Sequence, residues 1–302
     1  MAIKNPPRVV NYINDARLRE LQLLELDILK AIDRVCKAND IKYYLDSGTL
    51  LGAIRHKGFI PWDDDLDIIM FREDYDKFVK VAPDALDEGY ELLHESVYPD
   101  YYLQYAKVVM LDKHDFHNQV YKFDDKYLGP YVDVFVYDPI LSPEETDFKA
   151  EYAKIFDLRL SILLKAGHLK PDTPKKEKLA KKIRFKTMKS LKKEMDREMH
   201  KYHDTGYVAS FASSDPIRQR MPVAAYAESV DVPFEDGMFP VPKDYDDILT
   251  RLFGDYMTPP PVAKRWMKHG FYDPVSIATM DITKPEEDRK MQEAIEREEK
   301  GL

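Results

Sequence analysis

A single cysteine, Cys36, in 302 residues excludes a disulfide framework and any multi-cysteine zinc site. A reducing, cytoplasmic setting is therefore the expectation. No apolar run approaches the roughly 18 residues that a membrane span needs. A mean hydropathy of −0.52 excludes a membrane-embedded bundle. The first fifteen residues, MAIKNPPRVVNYIND, have no apolar core and no small-residue cleavage site, so no secretory signal is expected. Internal repeats are absent too, as is any disordered linker long enough to separate autonomous domains. With 44% hydrophobic residues, the chain has ample material for one large domain or two small ones.

Positive charge is scarce overall, 46 Lys and Arg against 55 Asp and Glu, and it is unevenly placed. Between Lys165 and Lys201 there are 14 basic and 5 acidic residues, so the other 265 residues carry 32 against 50, a net of −18. Such a chain would repel a polyanion as a whole, and no nucleic-acid partner is expected. The basic block instead fits a contact with an anionic lipid surface or a phosphate-bearing substrate, or a solvated helix face.

Leu18, Leu21, Leu24, Ile28, Ile32, Val35 and Cys36 recur at three- and four-residue spacing, which predicts a helix over residues 14–39 capped by Asn14 or Asp15. A short β-type run and a turn-rich stretch punctuated by glycines follow. Asp65–Met70 then alternates with period two, as a strand does, and a helix is expected over 74–82, stopping before Pro83. In YVDVFVYD, Asp133, Phe135 and Tyr137 share one strand face and Val132, Val134 and Val136 the other. Residues 144–203 read as two helices broken at Lys170–Pro174, and an acidic helix is expected over about 285–300.

Chemistry concentrates in LDSGTLLGAIRHKGFIPWDDDLDIIM, residues 45–70. Asp63, Asp64, Asp65 and Asp67 fall within five positions, and like charges this close repel unless a cation neutralises them. On a strand, Asp65 and Asp67 point the same way and converge on one hard cation; oxygen-only ligation suits Mg²⁺ or Mn²⁺, with substrate phosphates completing the shell. Asp133 is the candidate third carboxylate, on a neighbouring strand. Asp46-Ser47-Gly48-Thr49 reads as a small-residue turn offering N–H groups and a hydroxyl to phosphate oxygens. An EF-hand is excluded, because the sixth position lacks glycine and the twelfth, Asp74, is not glutamate.

This block resembles the signature of the LicD family, bacterial phosphocholine transferases related to the fukutin-type ribitol-phosphate transferases. YVDVFVYD and FPVPKDYDDILTRLFGDYM resemble further family blocks in the same order, so the resemblance spans about residues 20–262. It implies an α+β, nucleotidyltransferase-type mixed β-sheet flanked by helices, with additional helical segments. The expected organisation is a single domain, residues 1–302, with a core of about 14–140 and 204–275 and a basic helical insertion at about 144–203. The superfamily's small-residue element matches Gly48 and Thr49, its acid–apolar–acid strand matches Asp65 and Asp67, and its third acid matches Asp133.

The resemblance implies transfer of an alcohol phosphate from a CDP-alcohol, CDP-choline foremost, to a hydroxyl of a lipid-linked cell-surface glycan or teichoic acid precursor, with CMP leaving. Asp65, Asp67 and Asp133 are the expected catalytic and metal-binding residues. Gly48, Thr49, Arg55, His56, Trp62, Asp64 and Lys243 are the expected substrate contacts. A choline head group would need an aromatic enclosure, for which Trp62 and the Tyr98–Tyr105 cluster are candidates. The expected location is cytoplasmic, peripheral at the inner face of the membrane. Two alternatives stand beside this: a nucleotidyltransferase that leaves NMP on a sugar or small molecule, and an inactive membrane-associated partner protein on the same scaffold.

Overall fold

The computed structural model describes residues 16–111, 117–123, 126–142, 148–212, 218–261 and 271–272. The helix-cap candidates Asn14 and Asp15 and the acidic helix expected near 285–300 lie outside these residues.

The predicted apolar stripe forms α1 (Ala16–Ala38), which buries Leu18, Leu21, Ile28, Ile32, Val35 and Cys36. It also buries Gln22 and Glu25, which the periodicity did not single out. β1 (Tyr44–Leu45) follows, and then α2 (Ser47–His56) in place of the expected turn. The glycines that suggested a turn serve close approach inside a helix. A Cβ on Gly48 would stand 2.6 Å from the Asp63 carboxylate, and one on Gly52 would stand 2.5 Å from the Gly58 carbonyl oxygen.

β2 is Asp67–Phe71, starting two residues later than the alternation from Asp65 suggested. α3 runs over Arg72–Ala85 and carries Pro83 inside its last turn, beyond the expected stop. Near a helix end the missing proline N–H costs a single hydrogen bond, and Leu86 N–H still closes onto the Ala82 carbonyl. β3 (Tyr90–Leu93), β4 (Ala106–Met110), β5 (His117–Phe123), β6 (Lys126–Leu128) and β7 (Tyr131–Ile140) follow. Residues 148–199 hold three helices where two were expected: α4 (Phe148–Lys165), α5 (Pro174–Lys182) and α6 (Met188–Met199). The second break has a local cause, since Thr187 accepts the Ser190 N–H and starts a new helix. β8 (Tyr207–Ala209), β9 (Met221–Pro222), the hairpin of β10 (Ser229–Phe234) and β11 (Gly237–Pro242), α7 (Tyr245–Phe253) and β12 (Phe271–Tyr272) complete the described chain.

The main sheet has the order β1-β2-β7-β4-β3, with β8 on the far half of β7 and β9 beyond it. β2 and β7 run parallel; the other pairs are antiparallel. This is the expected mixed sheet flanked by helices. β7 is its centre: Val132, Val134 and Val136 are all fully buried, and so is Tyr137 on the other face. Leu21 of α1 packs with Leu93, Tyr101, Val109 and Tyr131, which lays α1 across one face of β3, β4 and β7. The β10–β11 hairpin clamps the turn after α2: Arg19 pairs with Glu235 at 2.5 Å, Glu235 accepts the Phe59 N–H, and Lys30 pairs with Asp236.

The Gly52 contact is with backbone that cannot step aside. We expect Gly52→Ala to destabilise the protein by about 1–3 kcal/mol through overpacking. Gly206→Ala, where an added Cβ meets nothing within 4 Å, should be near neutral by the same denaturant titration.

Candidate functional site

Strand pairing gathers the site. Asp67 and Asp133 are register partners on the parallel strands β2 and β7, and Asp133 is in turn the register partner of Lys107 on β4. On the other side, Asp46 follows β1 and donates its N–H to the Asp67 carbonyl at 3.1 Å. Asp46, Asp67, Asp133 and Lys107 therefore form one row across four strands. Neighbouring strands are about 4.8 Å apart, so these charges lie side by side.

The row's electrostatics follow from that spacing. Burial, then Asp65 and Asp133, push the Asp67 carboxyl well above the ordinary carboxylate range. Burial pushes Asp46 up to about 6, against hydrogen bonds from Ser47 and Tyr137 that favour its ionised form. Lys107 is fully buried, ion-paired to Asp133, with its ammonium 3.5 Å from the Tyr131 ring centroid. Burial draws its pKa down while Asp133 opposes the fall. Nothing in the sequence marked Lys107, because an alternating AKVVM strand gives no sign that its lysine faces inward.

The loop before β2 is fixed from both sides. Gln22 of α1 donates to the Asp63 carbonyl at 2.9 Å, and Gly48 leaves room for the Asp63 carboxylate at the start of α2. Thr49 accepts the Asp67 N–H at 2.9 Å, so its hydroxyl oxygen anchors the first residue of β2. Asp63 and Asp64 are buried, and their carboxylate oxygens lie with that of Asp65 within 4.8 Å of one another. Among the described residues this trio, not Asp65 with Asp67 and Asp133, is the tightest group of possible metal ligands. Asp65 precedes β2, yet it is the strongest of the neighbouring carboxylates acting on Asp67.

The remaining expected contacts divide. Arg55 donates to the His56 ring and, at 2.6 Å, to the Tyr256 carbonyl, while His56 meets the buried Trp62 ring edge-on at 6.2 Å. These three form a linked wall leading into Asp63. Lys243 lies elsewhere in role, in an exposed pair with Glu228 at 2.6 Å, as an ordinary surface ion pair would. Of the tyrosine cluster, Tyr101, Tyr102 and Tyr105 are buried; Tyr105 packs on Phe135 with ring centroids 4.5 Å apart. Phe135 is two residues along β7 from Asp133, on the same face, and is partly exposed.

Against this geometry, the nucleotidyltransferase-domain model of the LicD/FKTN/FKRP family matches residues 40–166, which contain the whole row. The lipopolysaccharide cholinephosphotransferase LicD of Haemophilus influenzae is 30% identical over 250 residues, 81% of this chain and 92% of that protein. The chain belongs to the LicD family. An uncharacterized protein of Rickettsia typhi is 36% identical over 128 residues, 42% of this chain and 40% of its own length. Mouse and human ribitol 5-phosphate transferase FKRP are 48% identical over 40 residues, 13% of this chain and 8% of theirs. In this LicD-family chain Lys243 falls outside the matched segment, whereas Gly48, Thr49, Arg55, His56, Trp62, Asp64, Asp65, Asp67 and Asp133 fall within it.

Asp46 supplies a test of the row's charge. Its folded value near 6 exceeds its ordinary 3.8, so the folded protein gains a proton between about pH 6 and 4 that the unfolded chain does not. Its contribution to stability therefore rises as pH falls through that window and is unfavourable above it. We expect Asp46→Asn to stabilise the ion-free protein by about 3 kcal/mol at pH 7.5 and by about 1 kcal/mol at pH 4.5, the gain vanishing only below about pH 3. Urea midpoints of both proteins in chelator, at the two pH values, check this.

Proposed function

We propose that this protein moves an alcohol phosphate, phosphocholine foremost, from a CDP-alcohol to a hydroxyl of a lipid-linked cell-surface glycan or teichoic acid precursor. As a LicD-family member it is a phosphotransferase, and transfer of a phosphoryl alcohol to a glycan is the family-level activity. The observation that carries the finer reading is the in-register pair Asp67–Asp133 beside the start of α2, inside the matched segment.

The acceptor hydroxyl oxygen forms a new bond to the phosphorus that bears the alcohol. The bond from that phosphorus to the bridging oxygen breaks, and CMP leaves with the electron pair. Asp133 takes the acceptor's proton, and its ion pair with Lys107 supports this role by holding its orientation. The first-turn N–H groups of Gly48 and Thr49, at the positive end of α2, receive diphosphate oxygens. Arg55, in the wall with His56 and Trp62, adds positive charge on the same side. Phe135, with Tyr105 behind it, offers a ring face to a trimethylammonium group.

The donor set is all carboxylate oxygen, crowded enough to raise Asp67, which fits a hard divalent cation. Mg²⁺ or Mn²⁺ would be held by Asp65, Asp67 and Asp133. When bound, it supplies charge neutralisation for the diphosphate during transfer.

The test is CMP release from CDP-choline, CDP-ethanolamine, CDP-ribitol and CDP-glycerol with an acceptor glycan. Asp67→Asn and Asp133→Asn should each cut turnover by at least 10³-fold with the fold intact, and chelation should abolish it. CDP-choline should be the best donor. A product that keeps CMP attached would indicate nucleotidyl transfer instead, and near-normal turnover in either variant would overturn the site.

Peripheral membrane contact belongs to the same proposal. No helix among the described residues is long and apolar enough to cross a membrane. Around the α5–α6 junction, Lys181, Lys182, Lys189 and Lys193 are exposed, and Phe185 between them is 89% exposed. Lys192 is different: it donates to the Pro99 carbonyl and pairs with Glu95, so it is spent inside the fold. Changing the four exposed lysines to Gln should weaken binding to vesicles rich in anionic lipid by about 1 kcal/mol per residue at low salt. Unchanged binding would mark the block as a solvated face.

A further inference from the structure

A cavity of about 240 Å³ lies between α4, α5 and α6, and it shares no residue with the charged row or the aspartate loop. Leu158 of α4, Leu179 of α5, Ile183 just after it and Leu191 of α6 form its buried apolar wall. Ser161 is buried with them, and its hydroxyl is already committed to the Asp157 carbonyl at 2.7 Å. Such a wall offers water few of the two to four polar partners it needs, so hydrocarbon suits it better. The space is smaller than the roughly 300–1,000 Å³ of sites for drug-sized molecules, which matches one slender chain.

The rim has the opposite character. Lys154 and Lys182 are exposed, so the cavity reaches the surface, and Lys186 joins them there. The two acids at the rim are already covered: Glu194 pairs with Lys186, and Asp157 pairs with Lys175 at 2.7 Å. Lys154 is held by Glu198 at 2.6 Å, whereas Lys182 makes no ion pair among the described residues. Residues 174–193 hold ten Lys and Arg against one acid, Glu177. Phe185, 89% exposed, stands two residues after the wall residue Ile183, between Arg184 and Lys186. An exposed ring among cations is suited to a lipid headgroup boundary, where the ring meets hydrocarbon and the cations meet phosphate. Apolar wall, cationic rim and protruding ring call for one kind of ligand, an amphiphile with an anionic head.

We propose that the cavity between α4, α5 and α6 takes one acyl chain of an anionic membrane phospholipid, whose phosphate lies against Lys182 and its lysine neighbours. The proposal rests on the peripheral membrane contact described above, and it adds a bound lipid to a contact that charge alone would leave non-specific. With the chain inserted and Phe185 in the same leaflet, the three helices are held to the membrane in one orientation.

The test uses the full-length protein with phosphatidylcholine–phosphatidylglycerol vesicles, the phosphatidylglycerol carrying a photoreactive diazirine near the end of one acyl chain. Mass spectrometry maps the cross-linked residues, and sedimentation reports total binding. Cross-links should fall on Leu158, Leu179, Ile183 or Leu191. Ser161→Leu, which fills the cavity, should still sediment with the vesicles at low salt. Its cavity cross-links should drop by tenfold or more, since each methylene kept out weakens binding about fourfold. Leu179→Trp fills the same space from α5 and serves where Ser161→Leu does not fold. Wild-type sedimentation with cross-links confined to Phe185 and the exposed lysines overturns the bound lipid and leaves the peripheral contact standing. An absence of sedimentation overturns both. Cavity cross-links that persist undiminished in the filled variants, or that form only when the diazirine is carried on a polyprenyl phosphate, also overturn the assignment.

Discussion

Parallel pairing of β2 with β7 sets two carboxylates, Asp67 and Asp133, next to each other with no residue between them. Much of the surrounding structure reads as the means of tolerating that contact. Lys107 is drawn into full burial to neutralise Asp133, and two tyrosine rings, Tyr105 and Tyr131, line its ammonium. Thr49 fixes the Asp67 backbone, and the start of α2 presents its positive end to the same edge. Holding like charges side by side in a buried row costs stability locally, a cost that proteins usually bear at functional sites.

The scaffold that bears this cost is built around a rigid centre. The three valines of β7 are fully enclosed, and α1 lies across the face that carries the charged row. α1 is thus both a core helix and a wall of the site. Its apolar stripe packs the sheet, while Gln22 holds the aspartate loop through the Asp63 carbonyl. The β10–β11 hairpin holds the other end of that loop through Glu235, which pairs with Arg19 and accepts the Phe59 N–H. The helical layer of α4, α5 and α6 places its apolar residues Leu179, Leu191, Met195 and Met199 inward and leaves a basic rim outward.

Legibility in the sequence tracked the range of the interactions. Local periodicity is enough for α1, for β2 from Asp67 onward, and for the alternation of β7, because each depends on neighbours within a turn or a strand. It misleads where a residue is chosen for a distant contact. Gly48 and Gly52 look like turn residues, yet they sit in a helix because Asp63 and the Gly58 carbonyl crowd them. Lys243 looked like part of a motif, yet it pairs with Glu228 on the surface.

By itself, the sequence determined the family, through the block that surrounds its four clustered aspartates. It also placed Asp133 on a strand, through the alternation of YVDVFVYD. Only the tertiary structure decided that Asp133 stands in register with Asp67, that Asp65 sides with Asp63 and Asp64, and that Lys107 enters the site at all. The physical reason is that a buried charge carries no local signature. Its partner is set by strand register and helix packing, which join residues tens of positions apart.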